Sequence, residues 1–376
     1  MIKLSKSSIG EEERLSVLKV LDNEMLGMGE NVKIFEDILS NFFNRKTICV
    51  VNGTCALQLA IQAVGIKEGD EVLVQSLTYV ATFQAIVASG GIPISCDIDP
   101  NTLLIDLKDA EKKLSSKTKI IIPVHYAGDA GELDLIYDFA KKNSLRVIED
   151  AAHAFGSISN QKLIGSFGDI ACFSFDGIKN ITSGEGGCIV TDDTEVLKKV
   201  SDYRLLSVKN DSINRYNGKR TWEFDVNEQG WRFHMSNIMA AIGIEQFKKL
   251  NLFAKKRQNI SIKYDQLFFR NEKIKFFIHN YNYIVPHIYV IRIIGLKNRR
   301  KLQEDLLKLD IQTGVHYQPN HKLTFFNKYY NTTLPITETI FPELLTLPLH
   351  YDLTESDIDY VATSVIKSIN NNIYFK

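Results

Sequence analysis

Chemistry in this chain centres on Lys179, which lies in the run Ser174-Phe175-Asp176-Gly177-Ile178-Lys179-Asn180-Ile181-Thr182-Ser183-Gly184-Glu185-Gly186-Gly187, between an apolar strand-like stretch and a glycine turn. A lysine traps a carbonyl only when its amine is neutral, and a loop held against a strand end can desolvate the ammonium enough to favour that form. Three other pieces precede it in order. Val51-Asn52-Gly53-Thr54-Cys55-Ala56-Leu57 runs from a strand into an apolar helix, leaving backbone amides and the Thr54 hydroxyl at a helix N-terminus, a geometry that binds phosphate. Ser76-Leu77-Thr78-Tyr79 follows another strand and sets an aromatic ring at its rim. Leu145-Arg146-Val147-Ile148-Glu149-Asp150-Ala151-Ala152-His153 ends a strand on a carboxylate. Such a carboxylate could keep a pyridine nitrogen protonated, the charge that makes the ring an electron sink. His153 could then meet the ring hydroxyl, and Ser174 could add a phosphate hydrogen bond. Phosphate loop, stacking ring, pyridine acid, serine and lysine together describe pyridoxal phosphate chemistry. Singly, each residue has an ordinary alternative: a helix cap for Thr54 and Asp150, a satisfied core side chain for Tyr79 and His153.

The elements that position these residues follow from patterning. Short β-rich runs at Thr47–Val51, Glu71–Gln75, Pro93–Asp97, Lys119–Val124, Leu145–Glu149, Asp169–Phe175 and Cys188–Thr191 alternate with helix-length segments. That alternation predicts an α/β fold with a largely parallel, helix-covered sheet, and ligands at the strand C-terminal ends. Asn237–Lys256 reads as a single helix with an apolar face. Beyond residue 250 the pattern shifts to short strands in Tyr283–Ile294, a helix near Asn298–Leu309 and a last amphipathic helix near Glu355–Ile369. The predicted organisation is a large domain over 1–250, N-terminal segment included, and a smaller α+β domain over 251–376.

Composition narrows the partners. The chain has 376 residues, 44% hydrophobic and 24% charged, with a formal net charge of zero. No global positive field draws in nucleic acid or an anionic membrane. The polar N-terminus lacks a signal peptide core and no long apolar span occurs, so the expected location is cytoplasmic. Cys49, Cys55, Cys96, Cys172 and Cys188 form no Cys-x-x-Cys pair and read as reduced structural residues, with no metal site.

Over nearly its whole length the chain resembles the DegT/DnrJ/EryC1/StrS family of sugar aminotransferases, pyridoxal phosphate enzymes of fold type I. The resemblance is carried by Leu26-Gly27-Met28-Gly29 with Phe35-Glu36, Gly53-Thr54-Cys55-Ala56-Leu57, Glu149-Asp150-Ala151-Ala152-His153, and Lys179 through Gly187. It continues in Gly230-Trp231-Arg232-Phe233-His234-Met235-Ser236-Asn237, Gly314-Val315-His316-Tyr317 and Leu347-Pro348-Leu349-His350. It implies pyridoxal 5′-phosphate as cofactor, contacts from Gly53, Thr54, Cys55, Tyr79, Asp150, His153, Ser174 and Lys179, and L-glutamate as amino donor. It also implies a homodimer whose active sites are shared between chains. Relatives usually reach the partner's cofactor phosphate with an asparagine two residues after the glycine of a Gly-x-Asn/Lys-x-x-Met motif. Arg232 stands there in this chain, and an arginine could bind either that phosphate or a substrate diphosphate. Asp176 replaces the histidine or aromatic of many relatives, in the sugar pocket, where His316 is a further candidate. Relatives that remove a sugar hydroxyl carry histidine in place of Lys179, so the lysine implies amine transfer to a nucleotide-linked keto sugar. The stretches around Arg232 and Tyr126-Ala127-Gly128-Asp129 look most like enzymes acting at C4 of dTDP-4-keto-6-deoxy-D-glucose. Alternatives are a 3-keto or UDP- or GDP-linked sugar, a cyclitol ketone, or a non-catalytic regulator that keeps the pocket.

Overall fold

The computed structural model describes residues 1–219, 222–328, 332–370 and 372–376. After helices α1 (Glu11–Asp22) and α2 (Glu30–Phe43), strands and helices alternate through β1 (Thr47–Val50), α3 (Gly53–Ala63), β2 (Glu71–Gln75), α4 (Val80–Ala88), β3 (Ile92–Cys96), α5 (Leu107–Lys112), β4 (Thr118–Ile122), α6 (Leu133–Lys142) and β5 (Arg146–Asp150). A small hairpin of β6 (Ile158–Ser159) and β7 (Lys162–Leu163) leads to β8 (Ile170–Ser174), β9 (Gly187–Thr191), α7 (Thr194–Tyr203) and α8 (Asp211–Tyr216). The large sheet has the order β1-β9-β8-β5-β4-β2-β3, with β9 antiparallel to both its neighbours and the remaining pairs parallel. This is the mostly parallel α/β sheet of the expected fold class. Because successive strand residues point to opposite faces, Leu73, Ile121, Val147 and Ala171 fill the core on one side while Val72, Ile120, Ile148 and Ile170 fill the other. Apolar side chains on both faces explain the near-continuous hydrophobic runs.

Two expectations about the second half need correction. Asn237–Lys256 is not one helix: α9 (Asn237–Lys248) closes at Lys249, which also caps the start of α10 (Leu250–Phe268). At Lys249 the N–H bonds Gln246 O (3.0 Å), a tighter turn that closes α9, while the side chain pairs with Glu12 and Glu13 of α1, contacts that apolar periodicity cannot register. Within Tyr283–Ile294 only Tyr289–Ile293 is a strand. Pro286 has no amide to donate to a ladder, and residues 283–287 bond instead to loops of the large sheet, Val285 N–H to Ser157 Oγ (2.9 Å) and His287 N–H to Ala127 O (3.2 Å). The second sheet has the antiparallel order β10 (Ile274–Phe276), β11 (Tyr289–Ile293), β12 (Leu344–Leu347). Helices α11 (Arg299–Lys308), α12 (Thr324–Asn327), α13 (Pro335–Ile340) and α14 (Glu355–Ile369) complete the chain. The apolar faces of α11 and α14 share one core with α10, including Tyr264, Ile291, Leu302, Leu345 and Val361, whereas Phe326 of α12 packs in a core of the large sheet and Ile340 of α13 in a cluster with Leu77 and Ile98. The first residues cross to this side, where Ile2 bridges Ile311 and Leu349 N–H bonds Leu4 O (3.0 Å).

A buried ion pair ties α2 to the edge of the large sheet. Glu36 accepts from Arg204 Nη1 (2.5 Å), the Cys49 amide (2.8 Å) and Tyr216 OH (2.5 Å). Every carboxylate oxygen is thereby used, the condition under which a buried pair is tolerated. All the cysteines are buried and free.

Candidate active site

The cavity forms where β1, β5 and β8 end. Asn52 caps α3 by accepting the Cys55 N–H on Oδ1 (2.9 Å). The Gly53 and Thr54 amides of that first turn then have no acceptor within the helix. Ser174, the last residue of β8, lies directly against them: a Cβ on Gly53 would sit 2.8 Å from Ser174 Cβ, and one on Gly187 would sit 2.6 Å from Asn52 C. Only glycine at both positions lets the strand ends close on the helix. Free amides, the helix dipole and the Thr54 and Ser174 hydroxyls make this end of the cavity an anion cradle.

Asp150 closes β5 at the other end, 6% exposed. Its Oδ2 accepts from Thr82 Oγ1 (2.7 Å) and its Oδ1 from the Ala152 amide (3.3 Å). These bonds fix the plane of the carboxylate, and Thr82 is available because α4 starts immediately after Tyr79. Lys179 comes from the loop after β8, which folds tightly: Lys179 N–H bonds Asp176 O (3.0 Å), and Ser183 N–H bonds Phe175 O (2.8 Å). Burial pulls the Lys179 amine down to about 8, against the opposing charges of Asp150 and Asp176 and helped by Arg257. The amine therefore has an appreciable neutral fraction near neutral pH.

Three histidines surround this amine. His287 Nε2 lies 3.4 Å from Lys179 Nζ, and the His153 and His287 rings are 4.4 Å apart. Burial first, then the Lys179 charge, holds His153 and His287 well below the usual imidazole range and His316 down to about 4. All three are neutral at physiological pH. Tyr317, whose hydroxyl burial keeps protonated, donates to His153 Nε2 (2.8 Å), while His153 Nδ1 is buried without a partner. His316 is fastened by Nδ1 to Thr346 Oγ1 of β12 (2.8 Å).

Gly53, Thr54, Tyr79, Asp150, His153, Ser174, Asp176, Lys179 and His316 thus line a single cavity of about 450 Å³. Cys55 and Arg232 do not. Cys55 spends its amide on the Asn52 cap, and its thiol, pushed up to about 12 by burial, is chemically inert. Arg232 lies in a separate hollow with Asp211, Arg215, Trp222, Phe224 and His234, so it touches no cofactor cavity within its own chain. Asn52, Thr82, Glu185, His287 and Tyr317 belong to the site and were missed. Tyr317 carried a signal, directly after His316 in a recognised motif, and Asn52 a second as the residue before Gly53. His287 had none, because it reaches Lys179 only through docking of the 283–287 segment.

A family model described as the DegT/DnrJ/EryC1/StrS aminotransferase family matches residues 7–366. The chain belongs to that family. Spore coat polysaccharide biosynthesis protein SpsC of Bacillus subtilis is 34% identical over 366 residues, covering 95% of this chain and 94% of that protein. Among solved structures, Helicobacter pylori PseC, an aminotransferase involved in the biosynthesis of pseudoaminic acid, superposes with a TM-score of 0.91 at 28% identity, covering 98% of this chain and 99% of that one. NtdA from Bacillus subtilis, with bound cofactor PMP, gives a TM-score of 0.84 at 29% identity over 98% of this chain and 86% of that one. As a member of this family the chain is a pyridoxal-phosphate-dependent sugar aminotransferase of fold type I. The cavity fits that cofactor: an anion cradle at one end, a fixed carboxylate at the other, and between them a desolvated lysine and a buried imidazole nitrogen lacking a partner.

Proposed function

We propose that this enzyme moves the amino group of L-glutamate onto a nucleotide-linked keto-deoxysugar, with C4 of dTDP-4-keto-6-deoxy-D-glucose as the acceptor. Its product would be an amino-deoxysugar for surface polysaccharide, made in the cytoplasm, where five buried free thiols are at home. The observation that carries the reading is the low-pKa Lys179 amine in one cavity with the Asp150 carboxylate and the α3 amides. Bound pyridoxal phosphate supplies an aldehyde that takes up the amino group and a ring that accepts the electron pair left when a proton departs from the substrate carbon.

The residues have separable tasks. Gly53, Thr54 and Ser174 would hold the phosphate, and Asp150 would keep a proton at the ring nitrogen. Tyr79, which lines the cavity and is 58% exposed, would cover the ring. Lys179 Nζ would hold the cofactor as its nucleophile and, when free, would serve as the acid and base for the proton at the substrate carbon. His153, His287 and His316 are neutral and so do not compete with it for charge. Asp176 and Glu185 line the same cavity and would accept hydroxyl hydrogens of the sugar. The working form is a homodimer in which Arg232, which lines a hollow apart from the cavity of its own chain, serves the neighbouring site. Its support is the exposure of Trp222 and Phe224 beside it, 82% and 60%, a degree of aromatic exposure that a second chain would relieve.

Incubation with glutamate and a panel of nucleotide keto sugars, followed by locating the new nitrogen, tests the acceptor. Amination only of cyclitols or of C3 would refute it. Lys179→Ala should abolish turnover and the visible absorption of lysine-linked cofactor while leaving the fold intact. Mixing Lys179→Ala with Arg232→Ala chains should restore activity in one of the two pockets, and no recovery would count against the shared site.

A further inference from the structure

Arg257 of α10 is 4% exposed, and among the described residues no carboxylate pairs with it. A buried guanidinium without a counter-ion is costly and persists only where hydrogen bonds hold it. Here it donates to backbone carbonyls on three separate segments. Nη1 bonds His287 O (3.1 Å) and Leu349 O (3.3 Å), and Nη2 bonds Ile178 O (3.4 Å) and Lys179 O (3.5 Å). The next residue reinforces the junction, since Asn180 Nδ2 donates to Val285 O (3.3 Å) and Phe155 O (3.0 Å). One cation therefore pins the loop that carries Lys179 to the segment that carries His287.

We propose that Arg257 is a positioning residue for Lys179, fixing the lysine's own carbonyl and setting, through its uncompensated charge, how readily the amine gives up its proton. The proposal rests on Lys179 being the reactive lysine. Around that amine, Asp150 from β5 and Asp176 from its own loop favour the ammonium, and Arg257 opposes it. His153, His287 and His316 are neutral, so these three charges act on the amine alongside its burial. Burial is the largest influence that lowers the amine, and against the two anions the buried Arg257 cation works in the same direction as burial. This fits an arginine retained in a site where an apolar side chain of equal volume would be cheaper to bury.

The test is competitive acetylation of the full, cofactor-free chain by acetic anhydride over a pH series, read by mass spectrometry on the peptide containing Lys179. Arg257→Met should move the midpoint of Lys179 labelling upward by about one pH unit, a roughly tenfold loss of labelling at pH 7.5. Arg257→Lys, which keeps a cation, should restore most of the shift. Near-ultraviolet circular dichroism checks that each variant is folded, and Arg257→Gln replaces the methionine variant if that one is not. A folded variant lacking the charge with an unchanged midpoint overturns the proposal, as does a lysine variant that titrates like the methionine one. Borohydride fixation of pyridoxal phosphate on Lys179 of the unaltered chain tests the lysine assignment separately.

Discussion

Replacing Asp150 with asparagine isolates the charge that the mechanism needs at the ring nitrogen. The substitution is nearly isosteric and the surroundings can absorb it. An asparagine Oδ1 still accepts the Ala152 amide, and the Thr82 hydroxyl keeps Thr78 Oγ1 (3.2 Å) and Tyr79 O (3.4 Å) as alternatives. Loss of fold is therefore not expected; loss of charge is the main effect. Opposite unit charges about 4 Å apart, at an effective dielectric of about 20, attract by about 4 kcal/mol. If that attraction is felt fully when the electron pair enters the ring, the step slows by about a thousandfold. The assay is single-turnover conversion of bound cofactor by glutamate, followed by absorbance, which separates the chemical step from sugar binding. Thr82→Val is the companion variant. It keeps the charge and removes one donor, a hydrogen bond to a charged group worth about 1.5–3 kcal/mol at most, so its effect should be clearly smaller. A loss below tenfold in Asp150→Asn, with cofactor still bound, would refute the assignment of Asp150 to the ring nitrogen.

Other consequences are equally direct. Gly53→Ala forces a Cβ to within 2.8 Å of Ser174 Cβ, so the strand end and the α3 amides must separate. Cofactor affinity measured by equilibrium titration should fall at least tenfold, with a stability loss of about 1–3 kcal/mol. Capture of pyridoxal phosphate by the cofactor-free chain should slow as pH falls through about 8, the value to which burial lowers Lys179, since the protonated form does not attack. Below it the rate should drop about tenfold per pH unit, and a flat profile between pH 6 and 8 would contradict the desolvated lysine. Glu36→Gln leaves Arg204 buried and unpaired and should cost about 3–5 kcal/mol. In thermal melts, adding Arg204→Met should cost little more than Glu36→Gln alone; strictly additive losses would deny the coupling.

The chain's local chemistry was legible without coordinates because it depends on neighbours in sequence. Alternating apolar runs and helix-length segments require a buried parallel sheet. Gly53-Thr54, Asp150 and Ser174 could be placed because strand ends and helix starts are local features, and the lysine loop because its glycines mark a turn. What tertiary structure alone decided lies between segments distant in sequence. Thr82 meets Asp150 only because β2 and β5 end on the same side of one sheet. His287 reaches Lys179 only because Pro286 and its neighbours bond loops of the large sheet instead of continuing the strand, and Arg257 of α10 meets the lysine loop from a part of the chain 78 residues away. Arg232 shows the same limit from the other side: its motif placed it with the cofactor, yet its own chain folds it into a different hollow. Spacing along a chain specifies which groups can act, whereas the proton affinity of Lys179 depends on burial and on charges contributed by remote elements, which exist only once the two sheets have docked.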